Sequence, residues 1–126
     1  MNGKEILDLG NTKKGQRYVL GALAPKDQPN YNGPWDCAEF VSYLVYQVSH
    51  KLYGCFNNNS KPATADAYTG YWKRDAELSG KIVSVEEAAR TPGAAVLRVA
   101  AQDRIGHIVI SDGKEGRSKQ TEQRQG

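Results

Sequence analysis

Cysteine is scarce in this chain, with only Cys37 and Cys55 among 126 residues. Two thiols cannot build a disulfide framework, and their surroundings, "WDCAE" and "YGCFN", share nothing, so they read as separate thiols. Histidine is equally sparse: His50 and His107 are the whole supply. At these spacings the four residues fit no common zinc pattern, and no metal or other cofactor is expected. Long apolar runs are missing too. Nothing approaches the roughly 18 residues of a membrane span, so no membrane partner is expected. Residues 1 to 10 lack the apolar stretch of a signal peptide, so the chain either acts without a secretion signal of its own or comes from a larger parent chain. Charge of one sign does not accumulate either. The formal net charge is +3 and the basic residues are interspersed with acidic ones, which gives nucleic-acid binding little support. Gly113 and Gly116 fall in a turn between predicted strands, a poor phosphate loop.

What is present reads as one ordinary globular domain over residues 1–126. A hydrophobic share of 39% and a charged share of 25% are typical of soluble chains, and the length suffices to bury a core without covalent staples. Residues 3 to 13 pattern as a short amphipathic helix around Ile6, Leu7 and Leu9. "RYVLGA" is a brief apolar segment, and "APKDQPNYNGP" is a loop by its Pro, Asn and Gly content. The strongest helix signal follows. Asp36 is a good N-cap, Glu39 completes a capping-box pattern, and Phe40, Val41, Leu44, Val45, Val48 and Leu52 recur at helical spacing up to Gly54.

The segment from Cys55 to Lys81 has no clear period and is expected to be irregular, with one helical turn near Thr64 to Trp72. Its Tyr68, Tyr71 and Trp72 could line a groove or brace the core. Ser84 and Glu87 pattern as a second capping box, and Thr91, Pro92 and Gly93 close that short helix. Strand patterns then cover 94 to 100, 105 to 111 and 117 to 123, separated by polar turns, as an antiparallel meander. Helices followed by strands make an α+β layout with a helix on one sheet face.

The chemistry starts from Cys37. In the first turn of a helix it meets unpaired backbone N–H groups and the positive end of the macrodipole, an environment expected to lower a thiol pKa. The same N–H groups suit a developing oxyanion. A thiolate needs a base, and geometry removes His50, which lies thirteen residues along the same helix, about 20 Å away at 1.5 Å per residue. His107 remains, at the start of the strand "HIVIS" behind the small Gly106. A third group usually orients the imidazole. The hairpin turn puts Gln120, Thr121 or Glu122 opposite His107, and either a neutral amide oxygen or a carboxylate could accept the imidazole N–H.

These residues resemble a family. "YVLGA", "DCAEFVSYLVYQ", "TPGAAVLRV" and "GHIVISDG" follow the order and rough spacing of the NlpC-type cell-wall peptidases, papain-like cysteine hydrolases of bacteria and their phages, over residues 15 to 123. The resemblance implies N-terminal helices, with a catalytic cysteine at a helix start, packed on a C-terminal antiparallel sheet. It implies hydrolysis of amide bonds in peptidoglycan stem peptides, commonly from γ-D-glutamate to a diamino acid. Cys37 would be the nucleophile, His107 the base and Gln120 the orienting group. Tyr18 would assist the oxyanion site or position the thiol, and Asp36 would hold a free amine of the substrate. The expected setting is the bacterial cell envelope, secretion or delivery by phage, and an inhibitor protein is a conceivable partner.

The chain departs from the family pattern where Ala38-Glu39 replaces Ser-Gly after the cysteine, and where Lys119 stands in place of an apolar strand residue. Glu39 is expected to raise the thiol pKa by its charge. Cys-His-dependent amidohydrolases of phage lysins share the order of cysteine before histidine and are the rival enzyme reading. A non-catalytic peptide-binding module on the same scaffold is the rival outside enzymes.

Overall fold

The computed structural model describes residues 3–79, 87, 88, 90–98, 107–111, 113, 118 and 119. Among them the order is α1 (Gly3–Asn11), α2 (Cys37–Ser49), α3 (Thr69–Ser79), β1 (Ala95–Arg98), β2 (His107–Ser111) and β3 (Ser118–Lys119). The architecture is α+β, with an antiparallel three-stranded sheet in the order β1-β2-β3.

α2 is the centre of the molecule. Its first eight residues, Cys37 to Leu44, are all buried, so the first two turns are covered on every side, as expected of a core helix. On one side α2 meets β2, where Ile108 and Ile110 join its Phe40, Val41 and Leu44 in the core. α1 packs alongside, burying Ile6. The fully buried Trp35 meets Tyr31, Phe40 and Tyr43 edge-on at centroid distances of 4.9, 5.1 and 4.9 Å. Such edge-to-face contacts add to the area these rings bury.

Two expectations about helices need correction. α2 stops at Ser49 rather than running on to Gly54, because His50 turns left-handed (φ 63°) and its N–H returns to the Tyr46 carbonyl. That is an αL termination, for which histidine is one of the more tolerant side chains. The region read as irregular contains α3. Its residues form no apolar stripe; tertiary anchors fix it instead. Trp72 is buried against Tyr53 (4.6 Å between centroids) and donates its indole N–H to Ser42 Oγ at 3.0 Å. Asp75 accepts from the Gly54 amide, Asn58 and Arg74. Trp72 therefore braces the core, while Tyr68 stays exposed at the head of α3.

The helix expected to open at Ser84 lies mostly outside the described residues, with 87 and 88 helical. The meander has the predicted order. β1 and β2 pair from Ala95–Ile110 to Arg98–His107, and β2 meets β3 at Ile110–Lys119 and Ser111–Ser118.

Candidate active site

Asp36 has the extended backbone of an N-cap (φ −97°, ψ 154°), and its Oδ1 accepts from the amides of Ala38 (3.0 Å) and Glu39 (3.5 Å). Cys37 is thus the first residue of α2, as predicted, with its own amide left out of the cap. The other Asp36 oxygen, Oδ2, accepts the Gly21 N–H at 2.8 Å. Both oxygens of the residue expected to hold a substrate amine already have backbone partners.

The Cys37 sulfur has a second neighbour from far along the chain. A backbone hydrogen bond from Ile108 reaches it, alongside those from Ala38 and from Cys37 itself, and all three favour the thiolate. The Ile108 amide nitrogen is bonded to the carbonyl carbon of His107, so the histidine Cα lies about 2.4 Å from that nitrogen by covalent geometry. The start of α2 and the start of β2 therefore meet. His107 is half-buried. By strand alternation its side chain shares a face with Val109 and Ser111, opposite Ile108 and Ile110. His50 stands at the far end of α2.

The thiol pKa departs from expectation. Burial pushes it up, the neighbouring Asp36 carboxylate pushes it further, and the three backbone donors only partly oppose them. With 4% of its surface exposed, Cys37 loses more hydration than the helix end returns. Glu39 is not the cause, contrary to its expected role. Its carboxylate turns away from the cap into a fully buried ion pair with Lys26 and also accepts the amides of Ala24 (2.9 Å) and Ala67 (2.7 Å). Burial raises the Glu39 pKa, the Lys26 ammonium and the amides of Ala24 and Ala67 oppose that with three hydrogen bonds, and the capping-box pattern reflects that bond set instead of a box.

Tyr18 comes to the same place from the N-terminal arm. It bridges to Trp35 in parallel, with Val19 N–H on the Trp35 carbonyl and Trp35 N–H on the Arg17 carbonyl, both at 2.9 Å. Its hydroxyl is pushed up to about 12 by burial and by the charges of Cys37 and Asp36, so it stays protonated. Gln120, like the alternatives Thr121 and Glu122, lies outside the described residues.

Cys55 is a separate buried thiol, bonded through its amide to Asn58. A groove of about 430 Å³ opens between Tyr46, His50 and Asn59 at the opposite end of α2. It contains none of the residues gathered around Cys37, and we assign it no part in the chemistry. What sequence reasoning missed is the Lys26–Glu39 pair. A lysine inside a Pro-rich polar loop carries no signal that its ammonium will be buried. Among the described residues no helix is long and apolar enough to cross a membrane. Compared with known proteins, the chain matches no family model, no curated protein and no solved structure.

Proposed function

We propose that this chain is a cysteine peptidase or amidase of papain-like architecture that hydrolyses amide bonds in peptidoglycan stem peptides. The observation that carries the reading is the meeting at the Cys37 sulfur: a helix N-terminus on one side, and the amide next to His107 on the other. The bond cut is the γ-D-glutamyl to diamino acid bond. Cys-His amidohydrolase chemistry at another amide of the wall is the nearest rival.

Because burial and Asp36 keep the thiol protonated at rest, a base must take its proton as it attacks. His107 is that base, and Gln120 holds the ring. The sulfur bonds to the carbonyl carbon, and the oxyanion is stabilised by the Cys37 amide and the Tyr18 hydroxyl. The imidazolium then gives its proton to the leaving nitrogen as the C–N bond breaks. Water, deprotonated by His107, cleaves the thioester and restores the thiol. Asp36 orients a cationic substrate amine beside its capped oxygens.

One observation favours the non-catalytic reading: a cysteine only 4% exposed, with a raised thiol pKa, is also what a peptide-binding module would carry. Purified peptidoglycan separates the two. The parent should release stem-peptide fragments whose masses identify the bond, and Cys37→Ala should release none. Equal digestion by both proteins overturns the proposal.

A further inference from the structure

Residues 17–26 form an arm stitched along the start of α2. In chain order, the Arg17 carbonyl and Val19 N–H pair with Trp35, Gly21 N–H bonds Asp36, and Ala24 N–H and the Lys26 ammonium bond Glu39. Its apolar anchors in the core are the buried Ala24 and the partly buried Tyr18. Its two large aliphatic side chains, Leu20 and Leu23, are 62% and 42% exposed. Direction comes from hydrogen bonds, and the last two of these, from Ala24 and Lys26, end on one buried carboxylate, that of Glu39. Lys26 Nζ also donates to the carbonyls of Ala24 (3.0 Å) and Ala65 (2.6 Å), so all three of its protons are used. Glu39 in turn takes the Ala67 amide on its second oxygen.

We propose that Lys26 and Glu39 are positioning residues, which lock the 17–26 arm across the first turn of α2 and so keep the Cys37 thiol covered and aligned. Buried ion pairs contribute little net stability compared with apolar pairs of the same volume. Their advantage here is geometric. The 17–26 arm and the segment at Ala65–Ala67 are tied to one ion pair whose carboxylate lies two residues after Cys37, and non-directional apolar contact cannot set such positions. The groups acting on the sulfur are then Tyr18 from the arm, Asp36 from the cap and the Ile108 amide from β2. Releasing the arm should hydrate the thiol and bring its pKa down, while spoiling the alignment that turnover needs.

The proposal rests on Cys37 being the reactive thiol, and its test reads that thiol directly. The double variant Lys26→Met/Glu39→Leu is compared with the parent by iodoacetamide alkylation of the Cys37 peptide, followed by mass across pH, and by hydrolysis of purified peptidoglycan. We expect a variant that still melts cooperatively, with Cys37 alkylation at pH 7.5 faster by about fivefold or more, its midpoint shifted to lower pH, and hydrolysis slower by about tenfold or more. A merely structural pair would leave the alkylation profile on top of the parent's, and that result overturns the proposal. Should the variant not fold, amide exchange in the parent decides. Gly21, Ala24 and Ala67 amides protected to the level of the α2 core support the lock; exchange at loop rates refutes it. A parent that digests nothing sinks the hydrolase while leaving these two readouts to judge the arm.

Discussion

The backbone amide of Ile108 lies where it favours the Cys37 thiolate, bringing the first residue of the central helix to the second residue of β2. Nothing local brings these positions together. The contact exists because Ile108 and Ile110 pack into the core beside Phe40, Val41 and Leu44.

On the proposed mechanism, with Cys37 as the covalent nucleophile, Cys37→Ala should reduce peptidoglycan hydrolysis by about a thousandfold or more. The residue is small and buried, so circular dichroism and the melting curve should stay close to the parent's. Turbidity loss of purified cell walls measures the activity.

Asp36→Asn should make the thiol more acidic. Asparagine still caps a helix, whereas the charge that raises the Cys37 pKa is gone. Removing a neighbouring negative charge favours the thiolate, so the alkylation midpoint moves to lower pH. At pH 7.5 the rate rises. A midpoint that does not move would show that burial alone sets the thiol.

Asp75 should contribute to acid stability. Burial would raise its pKa, but hydrogen bonds from Arg74, Asn58 and the Gly54 amide, with the guanidinium charge, outweigh it and hold the carboxyl below the ordinary range. A depressed carboxyl stabilises the fold above its unfolded value of about 3.9 and loses that contribution as pH falls through the folded value. Urea unfolding of Asp75→Asn should therefore show lower stability at pH 7, with a flatter dependence below about pH 4.

Gly54→Ala should destabilise the fold by about 2 kcal/mol or more, from a left-handed backbone together with overpacking. Gly54 has φ +74°, and an added Cβ would come within 2.2 Å of the Trp72 indole. Because Trp72 anchors α3 to Ser42, the damage should appear as a lower urea midpoint without loss of the Cys37 alkylation profile.

Gln120→Ala and Glu122→Ala together test the orienting group. If Gln120 holds His107, its alanine variant should lose about tenfold or more in kcat/KM while Glu122→Ala stays near the parent. The opposite pattern assigns the role to Glu122.

The chain by itself determined much of the frame. The apolar spacing from Phe40 to Val48 made α2, Asp36 began it, and the short β-branched run in "HIVIS" made the middle strand, buried on both faces. These are short-range signals, carried by side-chain period and capping chemistry within a few residues. Tertiary structure decided the rest. Where α2 ends depends on a left-handed His50, and α3 exists because Trp72 and Asp75 find partners in Ser42 and Gly54. Glu39 was legible as a capping residue and is instead the acceptor of Lys26, because folding brings a loop ammonium and two distant amides to its carboxylate. The thiol pKa shows the same division. A helix start is written in the sequence and favours the anion, but burial is a property of the whole packed molecule, and together with Asp36 it wins at Cys37.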